Sequence, residues 1–265
     1  MSSLIVGSNS YASVADADAF LATSVRAASL WAAISTATKE AALVSFFRML
    51  ENQTWAGTPS ALAVLATAAL NAGGASYAAG QILTVSGGTV TAGREAKIRV
   101  LTVSSGAVAT FEIADVGDYM TAPTSPVSVS SSPGSGATFN VTFGVQATAW
   151  PRANVTDRYG VEVSSTAFPA QIVQANIQGA FELSQDPSIE TKKNEDSNIS
   201  ALKAGSVGIN YFAPQLAQGR FPSVVQELVA QFLAGAANGV TASADGFSSC
   251  SDFSPERYQF TEGLP

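Results

Sequence analysis

The chain has 265 residues, a net charge of −7 and no histidine, and charged residues make up only 12% of it. That length allows one or two domains with real cores, whereas so few charges fall well below the usual quarter of a soluble protein. With no histidine and with Cys250 as the single cysteine, the chain cannot build a His-assisted nucleophile, a His or multi-Cys zinc centre or an intrachain disulfide.

Residues 1–7 lack the basic region and apolar run of a signal peptide, which predicts synthesis in a cytoplasm. Ser13 offers a helix cap, with Asp16 and Asp18 as capping acids in the first turn rather than a metal pair. Val14, Ala17, Phe20, Leu21 and Val25 then form one apolar stripe. A second helix is predicted from Ser35 to near Asn52, burying Leu43, Phe46, Phe47 and Leu50. Trp55-Ala56-Gly57 follows it.

Residues 59–148 break this pattern. They hold 11 of the 22 glycines but only 7 charges. Ile82-Leu83-Thr84-Val85, Ile98-Arg99-Val100 and Phe139-Asn140-Val141-Thr142-Phe143 alternate with period two, which predicts short strands between glycine turns. The apolar run at 61–70 is far shorter than the roughly 20 residues of a membrane helix, so no membrane partner is expected. The stretch reads as duplicated: Tyr77 after Gly73-Gly74 matches Tyr119 after Gly117, Leu83 and Val85 match Val127 and Val129, and Ile98 and Val100 match Phe139 and Val141. Two such units are expected to complete one β-domain. Its glycine pairs precede no helix and so make turns, not phosphate cradles.

Ala149-Trp150-Pro151-Arg152 and a turn at Asp157-Arg158-Tyr159-Gly160 lead to a third helix from Pro169, carrying Ile172, Val173, Ile177, Ala180 and Phe181 and stopped by Asp186-Pro187. A polar loop over 188–200 holds the one basic pair, Lys192-Lys193, among acids. A short strand is predicted at 206–211. The fourth helix, after Pro222, has the cleanest stripe, with Val224, Val225, Leu228, Val229, Phe232 and Leu233, closed by Gly235. Periodicity then vanishes, although Phe247, Phe253, Tyr258 and Phe260 recur through the end of the chain. Trp31, Trp55 and Trp150 read as packing residues, because little positive charge lies near them for stacking on nucleic acid.

The expected fold is therefore α+β. A small helical-bundle domain of about four helices with a short strand or hairpin spans 1–58 plus 149–235. An all-β, glycine-rich insert occupies 59–148, and 236–265 form an extended C-terminal arm. No catalytic, cofactor or metal constellation emerges, which predicts a protein that is not an enzyme and needs no cofactor. The net acidity argues against gripping nucleic acid, and the uncharged surface favours protein–protein assembly.

The flanks resemble a known family. Leu4-Ile5-Val6-Gly7-Ser8-Asn9-Ser10-Tyr11-Ala12-Ser13-Val14-Ala15-Asp16-Ala17-Asp18-Ala19-Phe20, Lys39-Glu40-Ala41-Ala42-Leu43, Trp55-Ala56-Gly57, Ala149-Trp150-Pro151-Arg152 and Gly205-Ser206-Val207-Gly208-Ile209-Asn210-Tyr211 are similar, in order, to pieces of tailed-bacteriophage head–tail connector (adaptor) proteins. Some relatives carry a DnaT-like, single-stranded-DNA-binding label, which implies a rival role as a replication module. The insert resembles glycine-rich β-modules of phage virion proteins. The connector resemblance implies a virion structural protein, assembled in the host cytoplasm as a ring of about twelve copies beneath the portal. Its implied partners are itself, the portal and a tail or tail-completion protein, with genomic DNA passing through the lumen unbound. It also implies that the terminal arm docks on the portal through Phe247, Phe253, Tyr258 and Phe260.

Overall fold

The computed structural model describes residues 4–90, 94–131, 133–190, 201–204, 207–210 and 221–234. Helix α1 (Val14–Leu21) opens with a reciprocal cap: the Asp16 amide donates to the Ser13 hydroxyl and the Ser13 amide to the Asp16 carboxylate. Asp18 does not cap. It accepts from the Trp31 indole and the Lys39 ammonium, both at 2.8 Å, and so ties α1 to α2 (Ala27–Ala32) and α3 (Thr36–Glu51). Helix α2 carries no stripe in the sequence because only Ala27 and Trp31 are buried in it. Val25, placed on the first stripe, is fully exposed. The helix has already ended there, with the Thr23 hydroxyl donating to the Phe20 carbonyl and the Ser24 hydroxyl receiving the Ala27 amide.

Helices α3 and α4 (Ala170–Gln185) bury the residues their spacing predicts, with Val173 only partly covered. The fourth predicted helix is shorter than its stripe. It forms α5 (Ser223–Val229) and then a 3-10 turn, Ala230–Phe232. The chain leaves the helix because residues 54–56 compete for its backbone: the Ala56 amide donates to Phe232, and the Ala234 amide to Thr54. Val224 faces solvent, while Val225, Val229 and Phe232 are buried. The predicted strand near 207 lies in a two-stranded antiparallel pair, Ala201–Ala204 with Val207–Asn210 (β9 and β10).

The glycine-rich stretch is one six-stranded antiparallel sheet of β2 (Ala63–Ala75), β3 (Ile82–Val85), β4 (Lys97–Ser104), β5 (Ala107–Asp115), β6 (Val127–Ser130) and β7 (Ser135–Val145). Their order, β2-β7-β6-β3-β4-β5, curls until the outer strands nearly meet, and the Leu65 amide donates to the Val116 carbonyl at 2.8 Å across the gap. Short β1 (Thr58–Pro59) and β8 (Arg152–Ala153) pair where the chain enters and leaves this module.

The duplication is visible in the backbone. Register shifts between Leu65 and Thr67 and between Leu70 and Ala72 recur between Val108 and Thr110 and between Ile113 and Asp115. The Tyr77 hydroxyl receives the Ala137 amide, as the Tyr119 hydroxyl receives the Ala96 amide. The Tyr77 amide donates to Gly106 as the Tyr119 amide donates to Ala63. Val85 pairs with its own counterpart, Val129, at the centre. The units do not stack as two sheets but exchange strands, so the first strand of each pairs with the third of the other, β2 with β7 and β5 with β4. Strands β2 and β5 are inconspicuous in sequence because their bulges break the alternation that betrays a strand.

Two hydrophobic cores result. One gathers Tyr11, Trp31, Phe46, Trp150, Phe181 and Phe232 among the helices, and the other gathers Leu83, Ile98, Tyr119 and Phe139 within the sheet. In the first, Gly179 of α4 lets α3 approach so closely that an added Cβ would lie 2.1 Å from the Phe46 ring. Ala is favoured over Gly in a helix by about 1 kcal/mol, but overpacking typically costs about 1–3 kcal/mol, and Phe46 is fully buried. Gly179→Ala is therefore expected to lower the urea midpoint. An unchanged or higher midpoint would show that the helices can move apart freely.

Candidate functional site

The β-module is spliced into the helical body at two chain crossings, one after α3 and one before β8, and a buried polar clip joins them. The Glu51 carboxylate, at the end of α3, receives the Tyr11 hydroxyl and the Ala149 amide, the latter at 3.0 Å. Arg152 reaches back across the gap. Its guanidinium donates to the carbonyls of Ala56 (2.6 Å), Gly57 (2.7 Å), Ala149 (3.1 Å) and Trp55 (3.4 Å). Burial pushes the Glu51 carboxyl up and the Arg152 guanidinium down from their ordinary values, and it raises the Tyr11 phenol well above its own, with the Glu51 charge adding to the effect. Trp55 and Trp150 pack edge to face at 5.6 Å beside the clip, and Phe232 lies against Trp150 at 5.3 Å. The packing role read for these tryptophans holds, and Trp31 is likewise buried.

A second charged cluster lies where the N-terminal segment meets the module. The Val6 amide donates to Ala114 and the Val116 amide donates to Val6, so this segment adds a parallel bridge outside β5. Gly7, at φ +78°, turns the chain against Arg94, where any Cβ would lie 2.7 Å from the guanidinium. Arg94 donates to Asp118 at 2.6 Å and Asp115 at 2.7 Å, and its face lies 4.1 Å from the centre of the Phe168 ring. The Gly117 amide also donates to Asp115. Burial nevertheless outweighs Arg94, this amide and Lys97, and raises the Asp115 carboxyl to about 6. The sequence shows only that charges are scarce in this stretch, because Arg94 lies 21 residues from Asp115 and 24 from Asp118.

Four other described cations are similarly occupied, while Arg48 and Lys97 are exposed. Arg26 pairs with Glu182, Lys39 with Asp18 and Arg99 with Glu112, while Arg158 donates to the Glu227 carbonyl at the end of α5. The exposed surface instead offers apolar groups. Met120 and Val145 border a groove of about 530 Å³ that also involves Ala61, Tyr119 and Phe143. Tyr159 and Val161 project from a turn held by the Asp157 carboxylate, which accepts both their amides. The sequence signalled this turn but not its exposed apolar tip.

Phe247, Phe253, Tyr258 and Phe260, the predicted docking residues, lie outside the described residues, as do Cys250, Lys192-Lys193 and Gly235. Among the described residues no cluster of His, Cys, Asp or Glu could hold a metal ion, and no helix is long and apolar enough to cross a membrane.

Residues 140–245, less than half of the chain, match a family model described as "Putative DnaT-like ssDNA binding protein". No curated protein and no solved structure matches the chain. The family match agrees with the DnaT-like label of the resemblance, over the part of the chain that contains β8, α4 and α5.

The Asp115 cluster sets a pH dependence with a definite sign. A carboxyl at about 6 in the folded protein and about 3.9 unfolded binds its proton more tightly when folded. Its contribution to stability therefore falls as pH rises from about 4 to about 6 and is level above that. In urea titrations the stability of the wild type relative to Asp115→Asn should decline across this window. A difference that stays flat or rises would contradict the assignment.

Proposed function

We propose that the protein is a non-enzymatic assembly component, a head-to-tail connector of a tailed-phage virion that forms a ring beneath the portal. In this reading it contacts further copies of itself, the portal and a tail or tail-completion protein, and the genome passes through the lumen without being gripped. The observation that carries the reading is where the cations go. In the segment matched by the family model, Arg152 is buried on backbone carbonyls and Arg158 is turned onto α5. Across 140–245 as a whole, six basic residues face nine acidic ones. A strand-binding groove needs cations aimed at phosphates beside stacking aromatics. Exposed Met120, Val145, Tyr159 and Val161 are the chemistry of protein contact instead.

The second reading, a DnaT-like single-stranded-DNA-binding replication module, is favoured by the family match itself. Two measurements on the purified protein separate the readings. The connector reading expects closed rings in negative-stain images, alone or with portal, and oligonucleotide binding that disappears at physiological salt. Tight binding of single strands that persists at about 150 mM salt, without rings, would replace it with the replication reading.

A further inference from the structure

The duplication gives the two ends of the β-module matching backbone register. At the β5 end the occupant is known: Val6 lies along the outer edge, exchanging backbone hydrogen bonds with Ala114 (3.0 Å) and Val116 (3.1 Å). Those groups point outward because of a local device. The Ala96 amide, which would otherwise pair across the sheet, is taken by the Tyr119 hydroxyl. At the β2 end the same device is present, with the Ala137 amide taken by the Tyr77 hydroxyl at 3.2 Å. Gly73 sits opposite Ala137 in the register, so its amide and carbonyl are turned away from β7. The register shift beside Asn71 matches the one beside Ala114, which places Asn71 where Ala114 is and Gly73 where Val116 is. Leu65 flanks Val116 as Val108 flanks Gly73, and Val6 fits beside the first pair. Among the described residues nothing occupies the second position, and Asn71 and Ala72 are exposed.

We infer that the outer edge of β2 at residues 71–73 is an open docking site for an extended, uncharged peptide segment of a partner chain, bound parallel to β2 through its backbone as Val6 is bound to β5. The lack of charge follows from the replacements. Ala72 stands where Asp115 does, and Ser135 lies against Gly74 where Arg94 lies against Gly117. With no ion pair at this end among the described residues, a charged strand finds no partner here, whereas backbone pairing beside small residues suits an apolar or glycine-containing segment. This site does not depend on the protein being a connector.

The test uses the full chain, 15N-labelled, and a synthetic peptide, Leu-Ile-Val-Gly-Ser-Asn, that copies residues 4–9. Titration should shift the amide resonances of Asn71, Ala72 and Gly73. Methylating the peptide nitrogen of the valine removes the donor that Val6 uses and should weaken binding by about tenfold or more. No shift at these residues at millimolar peptide would overturn the proposal. So would shifts confined to residues 114–116, which would mean that the peptide only displaces the chain's own segment, or equal binding of the methylated peptide.

Discussion

The arrangement depends on the hydrogen bonds that Glu51 and Arg152 make across the two chain crossings. A helical body interrupted between α3 and β8 keeps its core only if the chain returns to nearly the place it left. Arg152 enforces this by drawing the carbonyls of residues 55–57 and 149 onto one guanidinium, and Glu51 anchors the same point to Tyr11 and Ala149. Both groups are costly to bury and tolerable only because their hydrogen-bonding capacity is met. The module cooperates from its own side. Ala63 and Val145, near its two ends, are neighbours in the sheet, so to the helical body this insertion is a short closed loop rather than a long floppy one.

The same economy of charge accounts for the surface. In a chain this poor in ions, five of the six described arginines serve the crossing, the Asp115–Asp118 cluster, Glu182, Glu112 and the α5 carbonyl of Glu227, and Arg48 is exposed. Among the described residues, Arg48 and Lys97 are the exposed cations outside these contacts, beside exposed apolar groups such as Met120, Val145, Tyr159 and Val161. A family description naming single-stranded DNA therefore meets a body most of whose described cations serve its own cohesion. That tension is the reason for reading the molecule as a component that binds protein and lets DNA pass.

The sequence made the helices with wide stripes legible, because Leu43, Phe46, Phe47 and Leu50 or Ile172, Ile177 and Phe181 repeat at helical spacing and face one core. It also revealed the duplication, through Tyr77 and Tyr119, each of which holds a backbone amide at the same place in its unit. It concealed whatever depends on partners distant along the chain. Asp18 reads as a capping acid until Trp31 and Lys39 are seen to converge on it. The stripe of the last helix outruns the helix because residues 54–56 claim its end. Strand exchange between the repeats leaves no local trace, since either pairing buries the same side chains. The clip was legible only as separate motifs around Trp55 and Arg152, because the carbonyls of residues 55–57 that Arg152 binds lie on the far side of the insert in sequence.

The crossing clip should make the helical body self-sufficient, with the β-module as a closed insertion. Replacing residues 60–147 by a short Gly/Ser bridge and following far-ultraviolet circular dichroism through a thermal melt tests it directly. The shortened protein should give a helical spectrum and a single cooperative transition, at a lower temperature because the contacts of Val6 and Phe168 with the module are gone. A spectrum without helix, or a melt without a cooperative transition, would contradict it.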